Sequence, residues 1–143
     1  MPYLVVDASV SLKWALDDEE NTEEALALRD DGIRGRFRMV APSLWLYEVA
    51  NGLLTATRRG RVSPEAGSEL LSYLTLVGVR FSDPEIEECY RAALRHGVAL
   101  YDAVYLALAK ALGADLWTGD RKFLDNVMKS DAAFVRWIGD YSI

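Results

Sequence analysis

Among 143 residues there is one cysteine, Cys89, and one histidine, His96. A lone thiol cannot close an internal disulfide, so a reducing cytoplasm is the expected setting. Cys89 reads as a small apolar residue on a helix. A lone imidazole has no second nitrogen ligand, which leaves histidine-based zinc sites and a Ser-His-Asp triad unsupported. No glycine-rich loop of the GxxxxGK(S/T) kind is present to cradle phosphates. Long apolar runs are missing too: an uncharged stretch such as Leu71–Val79 is too short to cross a bilayer, so no membrane association is expected. The start carries no basic segment ahead of an apolar core, and no secretory leader is predicted.

Positive charge is in the minority, with 16 Lys and Arg against 22 Asp and Glu and a net charge of −6. That balance argues against a protein that coats nucleic acid non-specifically. It leaves room for a nucleic-acid enzyme, because metal ions neutralise an acidic site locally. Two basic clusters stand out within the acidic whole: Arg34, Arg36 and Arg38, then Arg58, Arg59 and Arg61. They read either as solvated helix ends and loops or as phosphate contacts beside an acidic site. Lys13 has the same two readings, a surface lysine or a phosphate contact.

About half of the residues are apolar and 27% are charged, the composition of a globular chain long enough for a full core. No repeat, low-complexity tract or linker appears, so one domain over residues 1–143 is expected. Short β-rich runs alternate with helical segments. Tyr3–Val6, Arg38–Ala41, Val77–Phe81, Ala114–Thr118 and Phe134–Ile138 are predicted strands. Helices are predicted over Ser9–Leu16 and Thr22–Asp31, and from Ser43 to Arg59, where Gly60 stops the chain and Ser43 is the expected cap. Further helices start at Ser63-Pro64 and at Asp83-Pro84, and span Tyr101–Leu112 and Arg121–Lys129. This pattern predicts an α/β fold around a mainly parallel sheet flanked by helices.

Four acids stand alone at the edges of apolar segments: Asp7, Glu48, Asp102 and Asp120. A carboxylate beside buried surface is costly unless its charge is compensated. Ligands of open α/β sheets bind beyond the carboxyl ends of the strands. Asp7 and Asp120 each follow a strand directly, and Asp102 opens a helix whose start lies at that edge. Three of the four therefore meet by topology. Each also has a simpler reading, Asp7 and Asp120 as helix N-caps and Asp102 as a first-turn acid favoured by the helix dipole. Periodicity is least kind to Glu48. Leu46, Val49, Ala50, Leu53 and Leu54 form the main apolar face, and Glu48 points roughly away from it. Leu44 and Trp45 widen the apolar surface, which gives a second reading: a helix buried on two sides, with Glu48 and Asn51 as a polar stripe between them. Asp125, just over a turn beyond Asp120, reads as a solvated acid or as a fifth member of the set.

The motifs around these acids resemble those of a known family. Val5-Val6-Asp7-Ala8-Ser9-Val10 is similar to the opening motif of PIN-domain ribonucleases. Tyr47-Glu48-Val49-Ala50-Asn51-Gly52-Leu53 matches their internal glutamate helix. Tyr101-Asp102-Ala103-Val104-Tyr105-Leu106-Ala107-Leu108-Ala109 and Thr118-Gly119-Asp120-Arg121-Lys122-Phe123 match their last two acidic motifs. The ordered set spans nearly the whole chain, and the compact length most resembles the VapC toxins of toxin–antitoxin pairs.

The resemblance implies a Rossmann-like PIN fold in which Asp7, Glu48, Asp102 and Asp120 bind Mg2+ or Mn2+ and carry endoribonuclease activity. Ser9 and Thr118 then support the acids by hydrogen bonding, and Asn51 orients Glu48. It further implies a homodimer, RNA as substrate, and inhibition by a cognate VapB-like antitoxin in a hetero-oligomer. Lys13, Arg58 and Arg59 are candidate RNA contacts. Two rival readings stand beside it. One is a non-catalytic PIN-fold module that binds antitoxin or nucleic acid. The other is an aspartyl-phosphate phosphatase, whose motif usually carries a second Asp where Ser9 stands here.

Overall fold

The computed structural model describes residues 1–130 and 132–142. Five strands, β1 (Tyr3–Val6), β2 (Arg38–Ala41), β3 (Arg80–Phe81), β4 (Asp115–Thr118) and β5 (Val135–Trp137), form one parallel sheet in the order β3-β2-β1-β4-β5. The helices are α1 (Ala8–Ser11), α2 (Thr22–Ile33), α3 (Leu44–Arg58), α4 (Pro64–Leu76), α5 (Ile86–His96), α6 (Leu100–Leu112) and α7 (Arg121–Met128). Single 3-10 turns follow α1 at Leu12–Trp14 and β5 at Ile138–Asp140. The α/β parallel architecture expected from the sequence is present. The expected strand over Val77–Phe81 shrinks to two residues, because Gly78 takes a positive φ of 107° that extended pairing does not allow.

The strand order runs one way from β1 to β3, then crosses back to β4 and β5. Parallel crossovers are right-handed, so α1–α4 lie on one face and α5–α7 on the other. The reversal falls between β1 and β4, and that gap at the carboxyl edge is where such sheets hold ligands. Leu4, Val5 and Val6 are buried, as befits a central strand covered on both faces, and Leu116 and Trp117 of β4 are buried beside them.

On one face, Trp45, Val49, Leu53 and Ala56 of α3 enter the core at helical spacing. The Trp45 indole N–H donates to Ser11 Oγ at 2.9 Å, tying α3 to the segment behind β1. On the other face α6 packs across β1 and β4, with Ala103 and Tyr105–Ala109 buried. Gly113, at φ +60°, ends α6 and turns the chain into β4.

Two caps depart from or match the reading of the sequence. Ser43 stands at the N-cap of α3, yet its side chain accepts nothing from the helix. The Asp83 carboxylate, arriving from the end of β3, accepts from both the Ser43 N–H and its hydroxyl at 2.9 Å. A charged acceptor from a neighbouring strand thus replaces the local one. Ser63 behaves as expected: its Oγ accepts from Ala66 N–H at 3.1 Å, with Pro64 in the first turn.

Candidate active site

The register Val6↔Trp117 sets the ends of β1 and β4 level, and Asp7 N–H donates to the Trp117 carbonyl at 3.1 Å. Asp7 and Thr118 therefore leave the sheet side by side. Asp7 holds the N-cap position of α1, but its carboxylate makes no cap bond. Its Oδ2 instead accepts from Ser9 Oγ at 2.7 Å and from Thr118 Oγ1 at 2.9 Å. The same two hydroxyls are held from behind. Gly119 N–H donates to Ser9 Oγ at 2.9 Å, and Asp120 N–H donates to Thr118 Oγ1 at 3.0 Å. Ser9 and Thr118 thus each bridge the Asp7 carboxylate to the backbone just after β4.

Asp120 caps α7 as the simpler reading held, its Oδ1 accepting from Phe123 N–H at 3.1 Å. Only one oxygen is used in that role. Asp102 lies in the first turn of α6, half-buried at the same sheet edge. Glu48 lies in the second turn of α3, half-buried, and its Oε1 accepts a hydrogen bond from the Tyr105 hydroxyl at 2.6 Å.

The buried stripe of α3 is centred on Trp45 and Val49, and Leu54 lies exposed. This corrects the helical-wheel reading of Glu48. Centred there, Glu48 is a flank residue one helical step from the core and close to Trp45. Gly52, one turn on, has the Leu12 side chain packed tightly against it, so that flank faces the segment after β1. Asn51 is exposed and makes no hydrogen bond to Glu48; the orienting contact comes from Tyr105. The signal for Tyr105 was its place three residues after Asp102, on the same side of α6. On a buried helix, however, a tyrosine reads as core.

The charges of the four acids feel one another. Burial raises the Asp7 carboxyl to about 6, against the pull of Ser9 and Thr118, and Asp102 and Asp120 push it further up. Burial likewise lifts Glu48 to about 7 despite the Tyr105 bond, with Asp7 and Asp102 adding repulsion. Asp102 is raised by burial and then by Asp120. Every charged group among these causes is another acid; no lysine or arginine is one of them.

The proposed basic contacts are placed less favourably. Lys13 is buried, its Nζ donating to the Glu20 carbonyl at 2.7 Å and its stem lying against Gly119. Arg58 and Arg59 are exposed at the far end of α3, about 15 Å along the helix from Glu48 at 1.5 Å per residue. Arg61 is held by Asp18 and Glu19, and Arg36, just ahead of β2, by Asp31. Asp125 is exposed on α7. His96 pairs with Ser130, and Cys89 is buried on α5 as a free thiol.

The residues fit a hard divalent cation by donor type, since all four acids offer oxygen only. They are not yet a closed chelate: among the described residues no three of His, Cys, Asp and Glu stand close enough together to hold an ion. One oxygen of Glu48 is taken by Tyr105 and one of Asp120 by the start of α7, which leaves the second oxygen of each. What the fold supplies is an acidic cluster in which burial and the neighbouring acids raise Asp7, Glu48 and Asp102.

The family model described as PIN domain matches residues 4–127. The chain belongs to the PIN-domain family. Among relatives of this PIN domain, Ribonuclease VapC3 of Pyrobaculum aerophilum is 32% identical over 126 residues, covering 85% of this chain and 92% of the relative. Exonuclease VapC9 of the same organism is 34% identical over 95 residues, covering 66% of this chain and 71% of the relative. The crystal structure of PAE2754 from Pyrobaculum aerophilum is 28% identical, with a TM-score of 0.72 over 96% of this chain and 84% of that one. The VapC likeness expected from the motifs is thus met by independent relatives. Among the described residues no helix is long and apolar enough to cross a membrane.

Proposed function

We propose that this PIN domain is a Mg2+- or Mn2+-dependent endoribonuclease of the cytoplasm, the toxin of a toxin–antitoxin pair. The observation that carries the reading is the mutual repulsion of the four acids: Asp102 and Asp120 raise Asp7, Asp7 and Asp102 raise Glu48, and Asp120 raises Asp102, each beside the effect of burial. Asp7, Glu48, Asp102 and Asp120 would hold the metal. When bound, the ion supplies positive charge at the scissile phosphate and a water acidic enough to attack it.

The chain's own contribution is position and electrostatics. Ser9 and Thr118 fix Asp7 through Oδ2 and leave Oδ1 free to face the site. Asp120 keeps Oδ2 free of the α7 cap. The route that the family likeness implies is direct in-line displacement by water, leaving a 5′-phosphate and a 3′-hydroxyl. Arg58 and Arg59 are free to meet RNA beyond the cleaved bond, whereas Lys13 is enclosed and serves the fold first.

A VapB-like antitoxin is the proposed inhibitor, in a hetero-oligomer with the toxin. A homodimer is supported by α5, whose exposed Ile86, Tyr90 and Leu94 form one apolar stripe at 67%, 63% and 69% exposure. The helix is acidic at its start, with Glu87 and Glu88, and basic at its end, with Arg95 and His96. Two copies crossing antiparallel would match opposite charges around the stripe.

The test uses a closed circular RNA, which only an endonuclease opens. Wild type should cut it with Mg2+ or Mn2+ and not with EDTA, and Asp7→Asn should be inactive while retaining its fold. Equal cutting by a nuclease-free Asp7→Asn preparation would sink the assignment. Antitoxin binding without any cleavage by wild type would favour the non-catalytic module, and cleavage of linear RNA alone would make the enzyme an exonuclease.

A further inference from the structure

Tyr105 is only 2% exposed, its ring packed within the core cluster, yet its hydroxyl reaches the acidic site. The phenol donates to Glu48 Oε1 at 2.6 Å, the length of a charge-assisted O–H···O bond. Tyr105 and Glu48 are 57 residues apart and lie on opposite faces of the sheet, on α6 and α3. The phenol O–H needs an acceptor, and the Glu48 carboxylate supplies it. One buried hydroxyl on α6, one turn beyond Asp102, thus holds the side chain that α3 contributes to the site.

Resting on the metal-dependent reading above, we propose that Tyr105 is the positioning residue for Glu48, holding Oε1 and presenting Oε2 to the cation. Glu48 is otherwise a long side chain on the flank of α3, with rotamers that lead to solvent. The tyrosine restricts it without adding charge. A lysine in the same place would pair with Glu48 and compete with the metal for it. The packed ring has two side-chain torsions and little room to move, so its hydroxyl is a fixed point on which the carboxylate is registered.

The test is Mn2+ binding by titration calorimetry to wild type, Tyr105→Phe, Glu48→Gln and the double variant, with metal-free unfolding in urea alongside. Tyr105→Phe should weaken Mn2+ binding by about tenfold, the usual effect of losing a partner that orients a ligand. The double variant should bind no worse than Glu48→Gln alone, because the tyrosine acts only through that glutamate. Wild-type affinity in Tyr105→Phe, or losses that add in the double variant, would overturn the proposal while leaving the metal site standing. A wild type that binds no Mn2+ overturns both. A second measurement does not depend on the folding of a variant. With tyrosine labelled at Cζ, the Tyr105 resonance of wild type should move on addition of Mg2+, and an unmoved signal with Mg2+ bound also overturns it.

Discussion

Asp7 and Thr118 stand 111 residues apart, and Thr118 Oγ1 donates a hydrogen bond to Asp7 Oδ2 across 2.9 Å. The Thr118 side chain is fully buried, and its single hydroxyl is used twice: it gives its proton to Asp7 and accepts from Asp120 N–H. One side chain therefore fixes two of the four acids. Its methyl group meanwhile keeps β4 in the core.

Thr118→Val should keep the shape and lose both bonds. The buried groups left without partners should lower unfolding free energy by roughly 1–3 kcal/mol, read by urea titration. Metal-dependent cleavage should fall with it, and Thr118→Ser should restore much of both. A valine variant as stable and active as wild type would show that the hydroxyl is idle.

The raised carboxyls of Asp7, about 6, and Glu48, about 7, predict a pH signature for the metal-free protein. An unfolded carboxylate titrates near about 4, so between there and 7 the native chain holds protons that the unfolded chain has released. Stability from these groups is full below the unfolded value and is lost as pH rises through 6 and 7. His96, pushed below its usual range by burial, works in the opposite direction. The comparison is therefore with Asp7→Asn, whose melting temperature in EDTA should fall less between pH 5.5 and pH 8 than that of wild type. Parallel curves would contradict the repulsion.

Mg2+ or Mn2+ relieves the same repulsion. Either ion should raise the melting temperature of wild type at pH 8 more than that of Asp102→Asn. Equal shifts would count against a shared site.

Gly119 has no room for a side chain. A Cβ there would meet Lys13 Cε at 2.6 Å and the Ser9 carbonyl at 3.3 Å. Lys13 is buried and tied to the Glu20 carbonyl, so it cannot swing freely aside. Gly119→Ala should cost about 1–3 kcal/mol, as overpacking does. Adding Lys13→Ala should return part of that loss, and thermal melts of the two variants make the check. No recovery would place the obstruction in the Ser9 backbone instead.

If α5 makes the homodimer, Leu94→Glu should convert a dimer to a monomer by light scattering while leaving the melting temperature of the monomer unchanged. A wild type that is monomeric at the same concentration ends the idea.

The sequence made Asp7, Asp102 and Asp120 legible through topology alone, because each abuts a strand end or a helix start at one sheet edge. Ser9 and Thr118 were reached through motif likeness, and the geometry gives them their bonds. Glu48 was misread by periodicity. The apolar face of Leu46, Val49, Ala50, Leu53 and Leu54 includes Leu54, which lies outside the core, and has Trp45, which lies in it, only at its margin. Tyr105 was hidden for the opposite reason: a tyrosine among Leu and Ala on a buried helix looks like packing, and only the far end of its ring is polar. Strand β3 was overextended because Val77 and Val79 carry β propensity that Gly78 interrupts.

The strand order has a consequence for biosynthesis. β1 is made long before β4, yet they are neighbours, and the gap between them is the candidate site. A nascent chain that has emerged as far as α4 carries Asp7 and Glu48 but neither Asp102 nor Asp120, and β1 still has an open edge. The acidic cluster is completed only when residues 115–120 slot in beside β1. For the ribonuclease proposed above, made on ribosomes, the fold itself then acts as a delay, withholding the full set of acids until β4 and the start of α7 have been made.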